Sequence, residues 1–130
     1  MLKGLILAAL LAAAACRTPS PTGPKPGTVG WRPIATWSGH GDTQTESFNI
    51  ESGEWRVRWQ TTRENPPGAG TFRVTAHSAV SGRPIQLVVD HQGVGHGIGI
   101  VTDDPRLYHL VIESANLDWS IVVDEAVFAE

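Results

Sequence analysis

The feature that most constrains this chain is a strict two-residue alternation in Glu54-Trp55-Arg56-Val57-Arg58-Trp59-Gln60. Successive side chains of an extended backbone point to opposite faces, so Trp55, Val57 and Trp59 share one side and Arg56, Arg58 and Gln60 the other. A helix would scatter both sets. The run therefore predicts a strand with one buried and one wet face. The pattern returns at Thr71–His77, where Phe72, Val74 and Ala76 alternate with polar residues. It returns again at Tyr108–Glu113 and Leu117–Asp124. Less regular strands are expected at Trp31–Trp37, Thr45–Ile50, Ile85–Asp90 and Gly97–Thr102, each bounded by turn residues. About eight short strands with one wet face each predict an all-β fold: a single antiparallel β-sandwich or jelly-roll-like domain.

The chain before those strands has another composition. Lys3 precedes an uncharged apolar run, Gly4–Ala15, which is short of the roughly 20 residues that span a bilayer. Small residues then lead directly to Cys16, as a signal peptidase requires. Cys16 is the only cysteine, so no disulfide can form within the chain. The stretch Leu11-Ala12-Ala13-Ala14-Ala15-Cys16 resembles the lipobox of bacterial lipoproteins, with Ala13 where that family prefers Leu. The resemblance implies cleavage before Cys16, a diacylglyceryl thioether on its sulfur, and export to the periplasm or cell surface. Ordinary secretion, with cleavage after one of the alanines, is the alternative. Residues 17–30 are rich in Pro and Gly and predict an extended tether, able to reach about 40 Å. The expected division is a signal peptide over 1–15, acylated Cys16 and tether over 16–30, and the sandwich over 31–130.

Charge excludes one class of partner. Residues 31–130 hold seven arginines, no lysine and 13 acids, a net charge of −6. Such a domain is not a nucleic-acid binder.

Five sets of residues are candidates for chemistry. Trp31 and Trp37 flank the opening of the domain, where packing into the core or over an edge is the plainer expectation; they are also the pair best placed to form a stacking platform for a glycan. Arg56, Arg58 and Arg73 are expected to share the solvent side of neighbouring strands, where an anionic headgroup or cell-wall polymer can bind. Pairing with Glu46, Glu51 or Glu113 is the plainer expectation for them. His91 and His96 lie in one Gly-rich stretch and converge on zinc only if the glycines make a loop or bulge, since residues five apart on a strand face opposite sides. Solvated positions are expected instead. Asp42, Asp103 and Asp104 fall in turns that calcium can use, though Asp is also a turn former. Gly93, Gly95, Gly97 and Gly99 lack dinucleotide-loop spacing and predict a bare strand face that lets a neighbour approach closely.

No Gly-x-Ser-x-Gly elbow or paired catalytic motif occurs, so no enzyme and no cofactor beyond the lipid are expected. The succession Ser38-Gly39-His40-Gly41-Asp42, Thr45-x-x-Phe48, Glu54–Trp59, Tyr108–Ile112 and Trp119–Val123 resembles small secreted prokaryotic β-sandwich domains, many of them lipoproteins. That resemblance implies a fold and no chemistry. The expectation is a membrane-anchored envelope protein with a binding or structural role, an envelope protein being the favoured partner. The rival is a small-ligand module for glycan or metal, and an enzyme assembled from loops comes third.

Overall fold

The computed structural model describes residues 28–128; the apolar run, Cys16 and the tether as far as residue 27 lie outside the described residues. Nine strands and no helix make up the described part: β1 Thr28–His40, β2 Thr43–Gln44, β3 Phe48–Ile50, β4 Glu54–Thr62, β5 Thr71–Ser78, β6 Pro84–Gln92, β7 Gly95–Thr102, β8 Arg106–Ala115 and β9 Asp118–Phe128. They pair antiparallel in two sheets. Sheet A has the order β1-β9-β4-β7, and sheet B the order β2-β8-β5-β6 with β3 also on β8. The fold is a β-sandwich.

The strands at Ile85–Asp90 and Gly97–Thr102 extend by one or two residues beyond the expected bounds, and two stretches depart further. Of expected strand Thr45–Ile50 only Phe48–Ile50 is strand, and a separate short strand, Thr43–Gln44, precedes it; between them Thr45 turns its side chain onto the neighbouring ladder, where its Oγ1 accepts from the Leu110 N–H at 3.0 Å. The ladder also starts before Trp31: Thr28 and Gly30, inside the expected tether, pair with Phe128 and Val127.

The core lies between the sheets and is made by the alternation. Trp55, Val57, Trp119, Ile121 and Val123 of sheet A are buried against Phe72, Val74, Ala76, Tyr108, Leu110 and Ile112 of sheet B. Aromatic pairs hold the two ends. Trp55 lies 4.8 Å from Tyr108 and 5.3 Å from Phe48, and Phe72 lies 6.2 Å from Trp119 and 5.7 Å from Trp59. Trp59 points inward but is only half-buried; its ring lies over Gly97 of β7, which has no side chain of its own.

Strand β7 shows why glycine recurs at every second position. Gly95, Gly97 and Gly99 all face inward. A Cβ on Gly97 would stand 2.9 Å from the Trp59 ring, and one on Gly99 would stand 2.5 Å from the backbone carbonyl oxygen of Val88. The bare face thus lets β6 close over β7 at the corner of the sandwich. Gln86 fastens the corner by donating from Nε2 to the Ile100 carbonyl at 2.8 Å.

Candidate functional site

Alternation on β4 places Arg56 and Arg58 on the outer face of sheet A, and the register sets Asp124 of β9 directly beside Arg56. Both arginines converge on that carboxylate. Arg56 Nε donates to Asp124 Oδ2 at 2.8 Å; Arg58 donates from Nε to Oδ2 at 2.6 Å and from Nη2 to Oδ1 at 3.1 Å. Asp124 is left 1% exposed on a solvent-facing surface. Burial pushes its carboxyl up, but hydrogen bonds and charge from Arg58 and Arg56 outweigh this and hold it below the ordinary carboxylate range. The same pairing raises Arg58. Arg56 also lies 4.3 Å over the Trp31 ring, a cation–π contact that fixes its remaining freedom.

Next to this network stand apolar side chains. Ile98 and Ile100 of β7 are the cross-strand partners of Arg58 and Arg56, and they are 56% and 42% exposed. Between Arg58 and His96 runs an open depression of about 470 Å³, lined also by Gln60, Ser120 and Val122. The outer face of sheet A thus combines a Trp, two immobilised arginines and exposed branched aliphatics.

The expected arginine set is corrected by the topology. Arg73 is not on a strand neighbouring β4, because the chain crosses from sheet A to sheet B between β4 and β5. Arg73 sits on the outer face of sheet B, 3.5 Å from Asp90 and opposite Glu113, in a depression of about 360 Å³ that Asp42 also lines. The acid that pairs Arg56 and Arg58 is Asp124, not Glu46, Glu51 or Glu113.

The tryptophan pair divides: Trp37 packs against the core as expected, and the alternative of a shared platform is not formed. Six residues along an even strand would put Trp31 and Trp37 on one face, but the register slips between Pro33 and Ala35. Trp31 therefore faces out with Asp124 and Arg56. Trp37 faces in, 5.8 Å from Phe48, with Nε1 donating to Glu46 at 2.9 Å. They do not make a shared platform.

His91 and His96 also part. The turn at Gly93, with φ of +83°, joins β6 to β7, yet His91 faces inward opposite Phe72 while His96 faces outward opposite Gln60. His91 is not the solvated residue expected: its ring is 4.7 Å from Trp59 and its Nε2 is buried without a hydrogen-bond partner. The turn aspartates serve the backbone and Tyr108. Asp42 accepts from the Ser114 N–H at 2.9 Å, and the Tyr108 hydroxyl lies 2.8 Å from the Asp104 carbonyl and 3.1 Å from Asp103 Oδ2.

Three further features were missed at the sequence level. Asp124 itself is one. Glu125 is another: it faces inward at the end of the sandwich and accepts from the N–H groups of Glu51 at 2.6 Å and Ser52 at 2.7 Å, and from Arg32 at 2.8 Å. Burial raises it, but the Ser52 N–H, Arg32 and the Glu51 N–H together bring it below the ordinary range. Two acids interrupting the apolar run Ile121–Val127 were the available signal. The third is His77 and His109, cross-strand partners on the outer face of sheet B, whose rings stack at 5.3 Å and 17°. Burial and the neighbouring His77 lower His109. Compared with models of protein families, with curated proteins and with solved structures, the chain finds no match.

Proposed function

We propose that this is a lipid-anchored protein of the bacterial cell envelope whose sandwich binds a protein partner without catalysing a reaction, using the outer face of sheet A. The observation that carries the docking face is the placement of Ile98 and Ile100 beside Arg58 and Arg56, which Asp124 and Trp31 hold still. Protein-contact cores are enriched in Trp and Arg among apolar side chains, and immobilised side chains lose less entropy on binding. What supports the anchor is the sequence Leu11–Cys16, followed by a Pro-rich segment that leads to β1.

Two experiments test the two halves. Metabolic labelling with a fatty-acid analogue is expected to mark the wild type and not Cys16→Ala; equal labelling removes the anchor. A photo-crosslinking side chain in place of Ile98 is expected to trap a discrete envelope protein in intact cells, while one in place of Glu113 on sheet B does not. Adducts of equal yield at both positions would remove sheet A as the docking face.

A further inference from the structure

The two histidines left unused by that reading form the other chemically loaded feature of the surface. His77 of β5 and His109 of β8 are direct register partners on the inner strands of sheet B, and their rings lie nearly parallel with centroids 5.3 Å apart. His77 Nδ1 is 3.0 Å from the Gly82 carbonyl oxygen. A carbonyl only accepts, so Nδ1 carries the proton in this bond and Nε2 of the neutral ring keeps its lone pair. Donation from the far ring nitrogen to a carbonyl is the support that metal-bound imidazoles use to fix tautomer and orientation. Neither ring forms an ion pair with a carboxylate among the described residues. Both rings are half-buried.

We propose that His77 and His109 together bind one divalent transition-metal ion on the outer face of sheet B. Metal–imidazole bonds of about 2.0–2.1 Å place two donor nitrogens within about 4 Å of each other; the lone pairs of nearly parallel rings lie in separate planes, so binding turns the two cross-strand rings out of their stack toward a shared point. Among the described residues no group of three or more His, Cys, Asp or Glu is placed to hold an ion. The site is therefore two-coordinate from the protein, its other positions being filled by water. Nitrogen donors of this kind follow the Irving–Williams order, so Cu2+ binds ahead of Ni2+ and Zn2+.

Cu2+ added to the full chain at pH 7 in a non-chelating buffer is the probe. One equivalent is expected to bind, with pulsed electron paramagnetic resonance reporting two imidazole nitrogens. His109→Ala and, on the other strand, His77→Ala should each weaken binding at least tenfold and reduce the coupled imidazoles, with circular dichroism confirming that each variant is folded. His91→Ala and His96→Ala should leave both readouts unchanged. A two-imidazole spectrum that survives in folded His77→Ala or His109→Ala overturns the proposal, as does one lost in His96→Ala, sulfur coordination in the wild type, or the absence of stoichiometric binding.

Discussion

Arg58 grips Asp124 through two nitrogens at 2.6 and 3.1 Å, and in doing so buries a carboxylate on the solvent side of a sheet. Removing the charge leaves two guanidiniums with a poorer acceptor, but both are partly exposed and water screens them. Asp124→Asn is therefore expected to destabilise the domain by about 1.5–3 kcal/mol, the range for hydrogen bonds to charged groups. Urea unfolding measures it. A change below about 0.5 kcal/mol would mean that the network contributes nothing beyond surface pairing.

Acid should act through the same carboxylate and Glu125. Both are held below their ordinary values in the fold, so on acidification the unfolded chain takes up protons first and stability rises with pH in that interval. The contribution is complete at neutral pH and is lost as pH falls from about 4 through the lower folded values. The thermal midpoint is expected to fall modestly from pH 7 to about 5, where the unfolded chain protonates His109 more readily than the fold does, and to drop more steeply below about 4 as the two carboxylates take up protons. In Glu125→Gln the neutral-pH midpoint should be lower and the acid fall shallower; an unchanged acid slope in the Glu125→Gln, Asp124→Asn double variant would contradict this.

Strand β7 makes a graded prediction. Gly99→Ala sets a methyl group against the rigid Val88 carbonyl, and Gly97→Ala sets one against the half-buried Trp59 side chain, which yields more easily than backbone. Losses of about 2–3 kcal/mol for Gly99→Ala and about 1–2 kcal/mol for Gly97→Ala are expected. Gly30→Ala meets nothing within 4 Å and should be neutral. Chemical denaturation of the three variants checks the order, and a neutral Gly99→Ala would mean that β6 does not close on β7.

The tryptophans should separate by burial. Trp55 is fully enclosed between Phe48 and Tyr108, so Trp55→Ala should cost about 3–5 kcal/mol. Trp59 is half-buried, and Trp59→Ala should cost less, about 2–3 kcal/mol. Equal losses would place Trp59 inside the core.

What the sequence made legible is whatever one strand decides alone. Alternation in β4, β5, β8 and β9 named the inward residues because each sheet has a single wet face. The alternation of Gly93, Gly95, Gly97 and Gly99 predicts a bare face, and β7 presents one from Gly95 to Gly99, with Gly93 in the turn before it. What failed depended on two strands or on one irregular residue. The slip at Pro33 separates Trp31 from Trp37, and the crossing between β4 and β5 removes Arg73 from Arg56 and Arg58. Partners such as Asp124 for Arg58, or His109 for His77, lie 66 and 32 positions apart and meet only through register. Periodicity carries no information about register between distant strands.

The slip in β1 bears on how copies of the chain meet edge to edge. A straight thirteen-residue strand at the end of a sheet is a template on which another chain can add. Pro33 removes one amide donor and the adjoining irregularity bends the strand, so no neighbour can lay a continuous ladder along its full length. The same residue that separates the two tryptophans thereby guards the molecule against fibrous self-association.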